Sequence, residues 1–420
     1  MSESFSMNTP LTAADGVPLK TRLQQQRRMR QLKALLLVLP LALFLLLTFL
    51  VPIATLLTRS VDNPEVVSVL RETTQALKPW DGKSLPAVAV YDALSRDLQR
   101  AQAEKTVPDA AKRLNMEQSG FRSLLQKTAR KIPLAPEAGQ STRDAFIALD
   151  ERWGDVSHWQ VIARNGSSWT PYYLMSSLDL RQGADGKPEL VPEDERAFLS
   201  IFGRTLWMSF WVTVWCLALG YPLAYWLATL PTRKSNLLMI LVLLPFWTSV
   251  LVRVASWIVL LQSEGLVNGA LLWLGIVDAP LELAFNRTGV YIAMVHILLP
   301  FVILPAYSVM KSIPPSYMRA AISLGDHPFA AFWKIYFPQT IAGVAAGALL
   351  VFIMCIGYYI TPALLGSPQE QMVSYYVAFY TNVTINWGMA AALGSLLLLA
   401  TLLLYGLYSR LVGANRLSLG

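Results

Sequence analysis

The chain has 420 residues, 54% of them hydrophobic and only 15% charged, with a mean hydropathy of +0.42 and a net charge of +8. This balance is too apolar for a soluble globular protein and excludes collagen-like, disordered and disulfide-stapled classes. Cys216 and Cys355, the two cysteines, both lie in apolar runs and offer neither a disulfide framework nor a thiolate metal site.

Residues 1–33 form a basic N-terminus containing "RLQQQRRMRQLK". The first charge-free run, 34–58, is long enough to cross a bilayer core of about 30 Å as a helix. It begins too late, runs too long and lacks a small-residue cleavage site for a secretory signal, so it is expected to persist as an anchor.

Residues 59–200 break the apolar pattern with 19 Lys/Arg and 20 Asp/Glu, which marks a water-facing domain whose near-zero net charge gives no reason to propose an acidic or basic ligand. "NPEVVSVLRETTQAL", "PAVAVYDALSRDLQRAQAEK" and "STRDAFIALDERW" carry apolar residues at three- and four-residue spacing behind Asn, Pro or Ser starts, predicting a mainly helical domain. Turn formers in "NGSSW" and "QGADGKPELVPEDE" predict loops or a short sheet later on. His158 has no companion at metal-ligand spacing and is expected to be an ordinary structural or surface histidine.

From 201 to 412 five further spans are expected. The second run covers 205–232, the third begins after Lys234 and reaches about Leu261, and the fourth lies between Arg287 and Lys311. The stretches 335–369 and 371–409 hold one span each, and 413–420 is a short tail. Positive charge selects the orientation. With both termini inside, the inner segments 1–33, 231–235, 309–338 and 410–420 hold thirteen Lys/Arg against Glu3, Asp15 and Asp326, while the outer loops 262–287 and 366–386 hold one Arg and four acids. The excess of positive charge is therefore read as topology, not as a nucleic-acid footprint.

Arg253 is the sole charge inside a span. A continuous helix from Ser235 would place it roughly 27 Å from the inner end, near the outer interface, where it is either an anchor or helix contact or part of the pore mouth. His296 in the fourth span is expected to pack through a hydrogen bond, with a place on the pathway as the alternative. Glu264, Asp278, Glu282 and Glu370 are the carboxylates nearest the outer mouth, and no acid falls within a span core. Trp247, Trp257, Tyr358 and Tyr359 are candidates for cation-π surfaces or for an interfacial aromatic belt. Gly343 and Gly347 form a Gly-x-x-x-Gly pair on which a partner helix, such as a second subunit, is expected to pack.

The inner loop 309–338, nearly all of it within "KSIPPSYMRAAISLGDHPFAAFWKIYFPQ" (311–339), is too apolar for a mere connector. Ala320, Ala321 and Leu324 fit one face of a short helix, and Gly325 permits the left-handed turn that ends it. A second apolar stretch holding Phe329, Phe332, Trp333 and Ile335 follows and is expected to be closed by Pro338 before the chain re-enters the membrane. Such a helix-turn-helix suits the transfer of rigid-body movement from a cytoplasmic partner.

Ala320-Ala321, Gly325, Ile335 and Pro338 resemble the "EAA" loop of binding-protein-dependent ABC transporter permeases. "LPFWTSVLVRVASWIVLLQSEGLVNGALLWLGI", "HILLPFVILPAYSVMKSI" and "GYYITPALLGSPQ" are similar to the corresponding parts of spermidine/putrescine-type permeases, so the resemblance covers about half the chain, roughly residues 200–412. It implies an all-α polytopic membrane protein of the bacterial inner membrane, with six transmembrane helices of the ABC importer permease type and a mainly helical extracytoplasmic insertion. It further implies that the chain is the first permease of a non-identical pair, importing polyamines or related small amines. The implied partners are a cytoplasmic ABC ATPase dimer, a second permease subunit, an extracytoplasmic substrate-binding protein and the lipid bilayer. The segment Arg319–Gly325, with Asp326 beyond it, then corresponds to the helix that docks on the ATPase. Arg319 stands where the family carries an acid, so any ion pair made by that carboxylate is absent or reversed here. The insertion resembles that of the maltose-type permease in position only, and contact with the binding protein and plain structural padding stay open as its roles.

No Gly-x-x-x-x-Gly-Lys-Ser/Thr loop, nucleophile elbow or His-Glu-x-x-His motif occurs, so ATP and its hydrolysis are assigned to a partner, and neither an enzyme activity nor a cofactor nor a metal is expected in this chain. A secondary transporter is the first alternative, but intramembrane acids and inverted repeats are lacking. A membrane sensor is the second, with no inner segment large enough to serve as an output module.

Overall fold

The structure, a computed structural model, describes residues 19–133, 140–183 and 187–417, with side chains described from residue 26 to residue 410. The first part of the expected basic N-terminus, 1–18, and the last residues of the expected tail, 418–420, lie outside the described residues.

The chain divides into two units, 1–58 and 59–420. The described part of the first is one helical rod, basic as far as Lys33 and apolar beyond it, made of α1 (Leu19–Leu45), a single π turn over Leu46–Leu50 and α2 (Val51–Thr58). The helix begins inside the basic segment, because nothing between Leu19 and Lys33 breaks it.

In the second unit the insertion comes first. Its helices are α3 (Pro64–Val69), α4 (Arg71–Ala76), α5 (Val88–Ala103), α6 (Val107–Glu117), α7 (Phe121–Lys131), α8 (Thr142–Leu149), α9 (Val156–Arg164) and α10 (Tyr172–Ser176). The helical expectation holds. The expected short sheet is a hairpin of β1 (Leu180–Gln182) and β2 (Pro188–Leu190), with Leu180 opposite Leu190. One stripe of each longer helix is apolar, and the stripes meet around Trp153, Trp159, Tyr91, Phe121 and Phe146, all fully buried. Trp153 and Trp159 lie 5.2 Å apart, and the Trp153 indole N–H donates to Thr128 Oγ1 at 2.9 Å. His158 is a buried packing residue, 5.2 Å from the Phe121 ring and 3.5 Å from Asp155, and burial pulls its pKa down.

The apolar helices follow: α11 (Phe198–Thr229), α12 (Thr232–Leu243), α13 (Val250–Leu261), α14 (Leu266–Trp273), α15 (Arg287–Ser312), α16 (Pro315–Ser323), α17 (Pro328–Ala331), α18 (Phe337–Ile356), α19 (Ile360–Leu365), α20 (Val373–Asn382) and α21 (Trp387–Leu417). Among the described residues six helical segments are long and apolar enough to cross a membrane, as expected: 26–58, 198–229, 250–273, 287–312, 328–356 and 387–410. The third differs from its expected form. The run from Lys234 to Leu261 is not one helix. Pro245 has no N–H to give to the ladder; α12 ends at Leu243, a 3-10 turn covers Leu244–Trp247, the backbone turns extended at Thr248 and Ser249, and α13 starts afresh at Val250.

α15 is the central post, with α11 and α18 packed along it. Small residues allow the approach. A Cβ on Gly220 would lie 3.1 Å from Val302 Cγ1, one on Gly347 would lie 3.0 Å from Val302 Cα, and one on Gly343 would lie 2.7 Å from the Pro305 carbonyl oxygen. The Gly343/Gly347 pair is thus a helix-packing site, but its partner is α15 of the same chain. The expectation that a second subunit packs there is corrected, because that face is already filled.

The insertion is seated on this bundle. Tyr173 packs with Ile201, Val373, Met389 and Leu393, and its ring lies where a Cβ on Gly388 would stand. Lys112 Nζ donates to the carbonyls of Thr384 and Ile385, at 2.9 and 3.1 Å, in the turn between α20 and α21.

Candidate coupling loop and pathway

Lys311, in the last turn of α15, reaches across to the end of α11 and donates to the carbonyls of Ala228 and Leu230 at 3.2 and 3.0 Å. A cation suits those unpaired carbonyls at a helix C-terminus. The chain then turns at Pro314 and starts α16 with Pro315, whose fixed φ and missing N–H fit a first helical turn. α16 ends in a Schellman cap. Gly325 sits at φ +100°, its N–H donates to the Ile322 carbonyl at 3.0 Å, and the Asp326 N–H donates to the Ala321 carbonyl at 3.1 Å. His327 caps α17 by accepting the Phe329 N–H at 3.2 Å, and Lys334 pairs with Asp326 at 3.1 Å, tying the two arms together.

The loop has two faces, and they differ from the expected ones. Ala321, Ala331, Phe332 and Tyr336 point inward, with Phe332 5.4 Å from the Tyr225 ring of α11. Ala320 and Leu324 do not share the buried face of Ala321. Both are exposed, Leu324 at 89%, since it caps the helix where the turn swings it away. With Tyr317, Ile322, Phe329, Trp333 and Ile335 it forms an uncovered apolar edge. Arg319 is exposed and makes no ion pair among the described residues. Pro338 does not close the second arm. It occupies the first turn of α18, and the helix runs on from Pro328 through a π turn at Phe332–Tyr336 to Ile356.

The break at Pro245 changes the depth of Arg253. It lies in the first turn of α13, with its guanidinium 5.9 Å from the Phe246 ring centre, and Phe246 packs at 4.9 Å on Phe301 of α15. Phe301 is fourteen residues along the 26-residue α15, about 21 Å from Arg287 on a helix about 39 Å long. Arg253 is therefore level with the middle of α15, not with its end. The expected position near an interface assumed one straight helix, which the extended residues Thr248 and Ser249 interrupt.

Four residues further along α13, the Trp257 indole N–H donates to His296 Nδ1 at 3.2 Å. The neutral imidazole then carries its proton on Nε2. Trp257 and His296 line an open cavity of about 590 Å³ with Trp215, Leu219, Tyr291 and Ile292. Tyr358 packs in the same cluster as Trp257. Arg253, Trp257, His296 and Tyr358 are thus brought together, whereas Glu264 is exposed in the turn between α13 and α14, and Tyr359 is exposed at the start of α19. Glu370 is no free mouth carboxylate. It is buried, caps its own turn through Ser367 and lies 3.6 Å from Arg287. Sequence reasoning missed Trp215, Tyr291, Phe246 and Phe301, which only tertiary packing gathers. Pro245 was the available signal for the break that arranges them.

These elements define a polytopic helical membrane protein with a small interfacial elbow. Residues 220–416 match the family "Binding-protein-dependent transport system inner membrane component". The spermidine/putrescine transport system permease protein PotB of Salmonella typhimurium (strain LT2) is 33% identical over 218 residues, 51% of this chain and 76% of PotB. The inner membrane ABC transporter permease protein YdcU of Escherichia coli K12 is 30% identical over 243 residues, 53% of this chain and 75% of YdcU. A crystal structure of a bacterial ABC transporter that imports the acidic polysaccharide alginate aligns with 16% identity and a TM-score of 0.42, over 51% of this chain and 79% of that one. The chain belongs to the binding-protein-dependent transport system inner membrane components, as an ABC importer permease. It is a multi-pass protein of the bacterial inner membrane, and its family is one of transport permeases, not enzymes. Membership sets aside the secondary-transporter and sensor readings.

Proposed function

We propose that this chain forms half of the translocation pathway of an ATP-driven importer for polyamines or related small amines, and that the elbow α16–α17 docks on a separate cytoplasmic ABC ATPase dimer. The observation that carries this reading is the elbow itself: a short helix ended by Gly325, fastened inward by Ala321, Ala331, Phe332 and Lys311 and presenting Leu324 and Phe329 outward. An uncovered apolar edge on a stiff support fits a groove on another protein and passes its movement to α15 and α18. Arg319 in this edge calls for an acid, or no charge, on the ATPase surface opposite. The amine assignment rests on the names of the relatives.

In this reading both termini face the cytoplasm, the insertion 59–200 faces the other side, and a substrate-binding protein delivers cargo to a pathway completed by a second permease. Closure of the ATPases around ATP then switches the pair between inward- and outward-open forms.

Gly325→Val tests the coupling. Open space surrounds Gly325, so valine meets no neighbour and only the backbone resists. Holding a β-branched residue at φ +100° costs of order 1–3 kcal/mol, enough to reshape the turn. Co-purification of the ATPase and uptake should both fall. If both stay at the wild-type level, the docking assignment is wrong.

A further inference from the structure

We propose that Arg253 is a substrate contact, and that the transported amine also carries an oxyanion, a carboxylate or a group of like geometry, which this guanidinium meets partway across the membrane. The proposal narrows the amine reading above and rests on it.

Arg253 is placed where a charge is hardest to keep. It stands level with the middle of α15, and its Nε and Nη1 are buried with no hydrogen-bond partner. The Phe246 ring centre lies 5.9 Å from its guanidinium. A mid-membrane Arg costs about 2.5–3.5 kcal/mol even on insertion scales and is ordinarily paired. Among the described residues Arg253 has no pair. Helices α11, α12, α13, α15, α18 and α21 contain no Asp or Glu, and Glu370 is already occupied by Ser367 and Arg287. Donors that nothing on the chain satisfies call for an acceptor brought from outside, and a planar guanidinium fits a two-oxygen anion best.

The surroundings point the same way. One turn of α13 beyond Arg253, the cavity at Trp257 and His296, which Arg253 itself does not line, is mostly apolar, with neutral polar groups from Thr288, Tyr291 and His296 and no carboxylate. With Nδ1 occupied by Trp257, the neutral His296 has a proton left to donate at Nε2. Trp215 and Trp257 supply faces on which an ammonium can rest. Aromatic faces for a cation beside donors for an anion describe an amine of mixed charge. A molecule with ammonium groups alone would pass an unscreened guanidinium with no counter-charge from this chain.

The test uses the complete complex of both permeases and the ATPase in proteoliposomes, with binding protein charged with each amine in turn. Matched pairs differ by one carboxylate: putrescine against ornithine, and cadaverine against lysine. The wild-type complex should import the carboxylated member. Arg253→Gln should lower that import by about tenfold or more, the usual weight of a charge-assisted hydrogen bond, while Arg253→Lys keeps a larger share. Import of the plain diamines with equal rates in wild type and Arg253→Gln overturns the inference and leaves the amine reading intact. Equal loss of both members of a pair in Arg253→Gln also overturns it, since that is the mark of a structural residue. If no amine is imported and none raises ATPase activity, the amine reading falls and takes this inference with it.

Discussion

Replacing Gly343 by alanine adds one methyl group at the close crossing of α18 on α15. Its Cβ would lie 2.7 Å from the Pro305 carbonyl oxygen and 2.8 and 2.9 Å from Val309 Cγ2 and Cβ. The first of these is backbone and Val309 is β-branched, so neither swings aside cheaply, and overpacking of this kind costs about 1–3 kcal/mol. The same change at Gly394 in α21 meets nothing within 4 Å in this chain. There the substitution yields only the preference of a helix for alanine, about 1 kcal/mol. Gly343 also lies inside a helix and gains the same preference, so the two variants should differ by the overpacking cost alone, about 1–3 kcal/mol, with Gly343→Ala the less stable. Unfolding by SDS titration or heat, followed on the purified complex, reads the difference. Equal midpoints would refute the packing of α18 on α15 and return Gly343 to the lipid or to another subunit.

In the insertion, Thr128→Val leaves the buried Trp153 indole N–H without its acceptor and should destabilise this domain by about 1–3 kcal/mol, seen in its thermal unfolding. Asp150 is hydrogen-bonded by Arg152 and Lys127, and the Arg152 bonds above all hold its carboxyl well below the usual carboxylate range. A depressed folded pKa gives stability that is complete above the unfolded pKa of about 3.9 and is lost as pH falls below it. Asp150→Asn should flatten that acid limb in a pH series of melting temperatures while lowering stability at neutral pH. Lys112→Ala removes two bonds that hold the turn before α21, so amide exchange at residues 383–386 should quicken, with the helices of the bundle unaffected. Unchanged exchange there would show that Tyr173 against Gly388 alone seats the insertion.

Hydropathy, charge and glycine placement settled a good deal before any coordinates. The number of spans, the polar helical insertion and the Gly325 turn depend on local composition, which a helix in lipid or a left-handed turn reads directly. The residues of the candidate coupling loop were legible for the same reason, as an apolar stretch too long for a connector. Which of them face outward was not. Leu324 and Ala321 are three residues apart on a helix, and only the Schellman cap separates one into solvent and the other into the bundle. Gly343 and Gly347 announced a close approach but not the neighbour, because periodicity names a face and says nothing of what covers it. The largest revision came from Pro245. Counting 1.5 Å per residue is valid only along an unbroken helix. One interruption moved Arg253 from the rim to the middle of the span, beside aromatic rings drawn from other parts of the chain. Depth and pairing inside a bundle belong to tertiary packing, since they depend on where helices cross and not on what each contains.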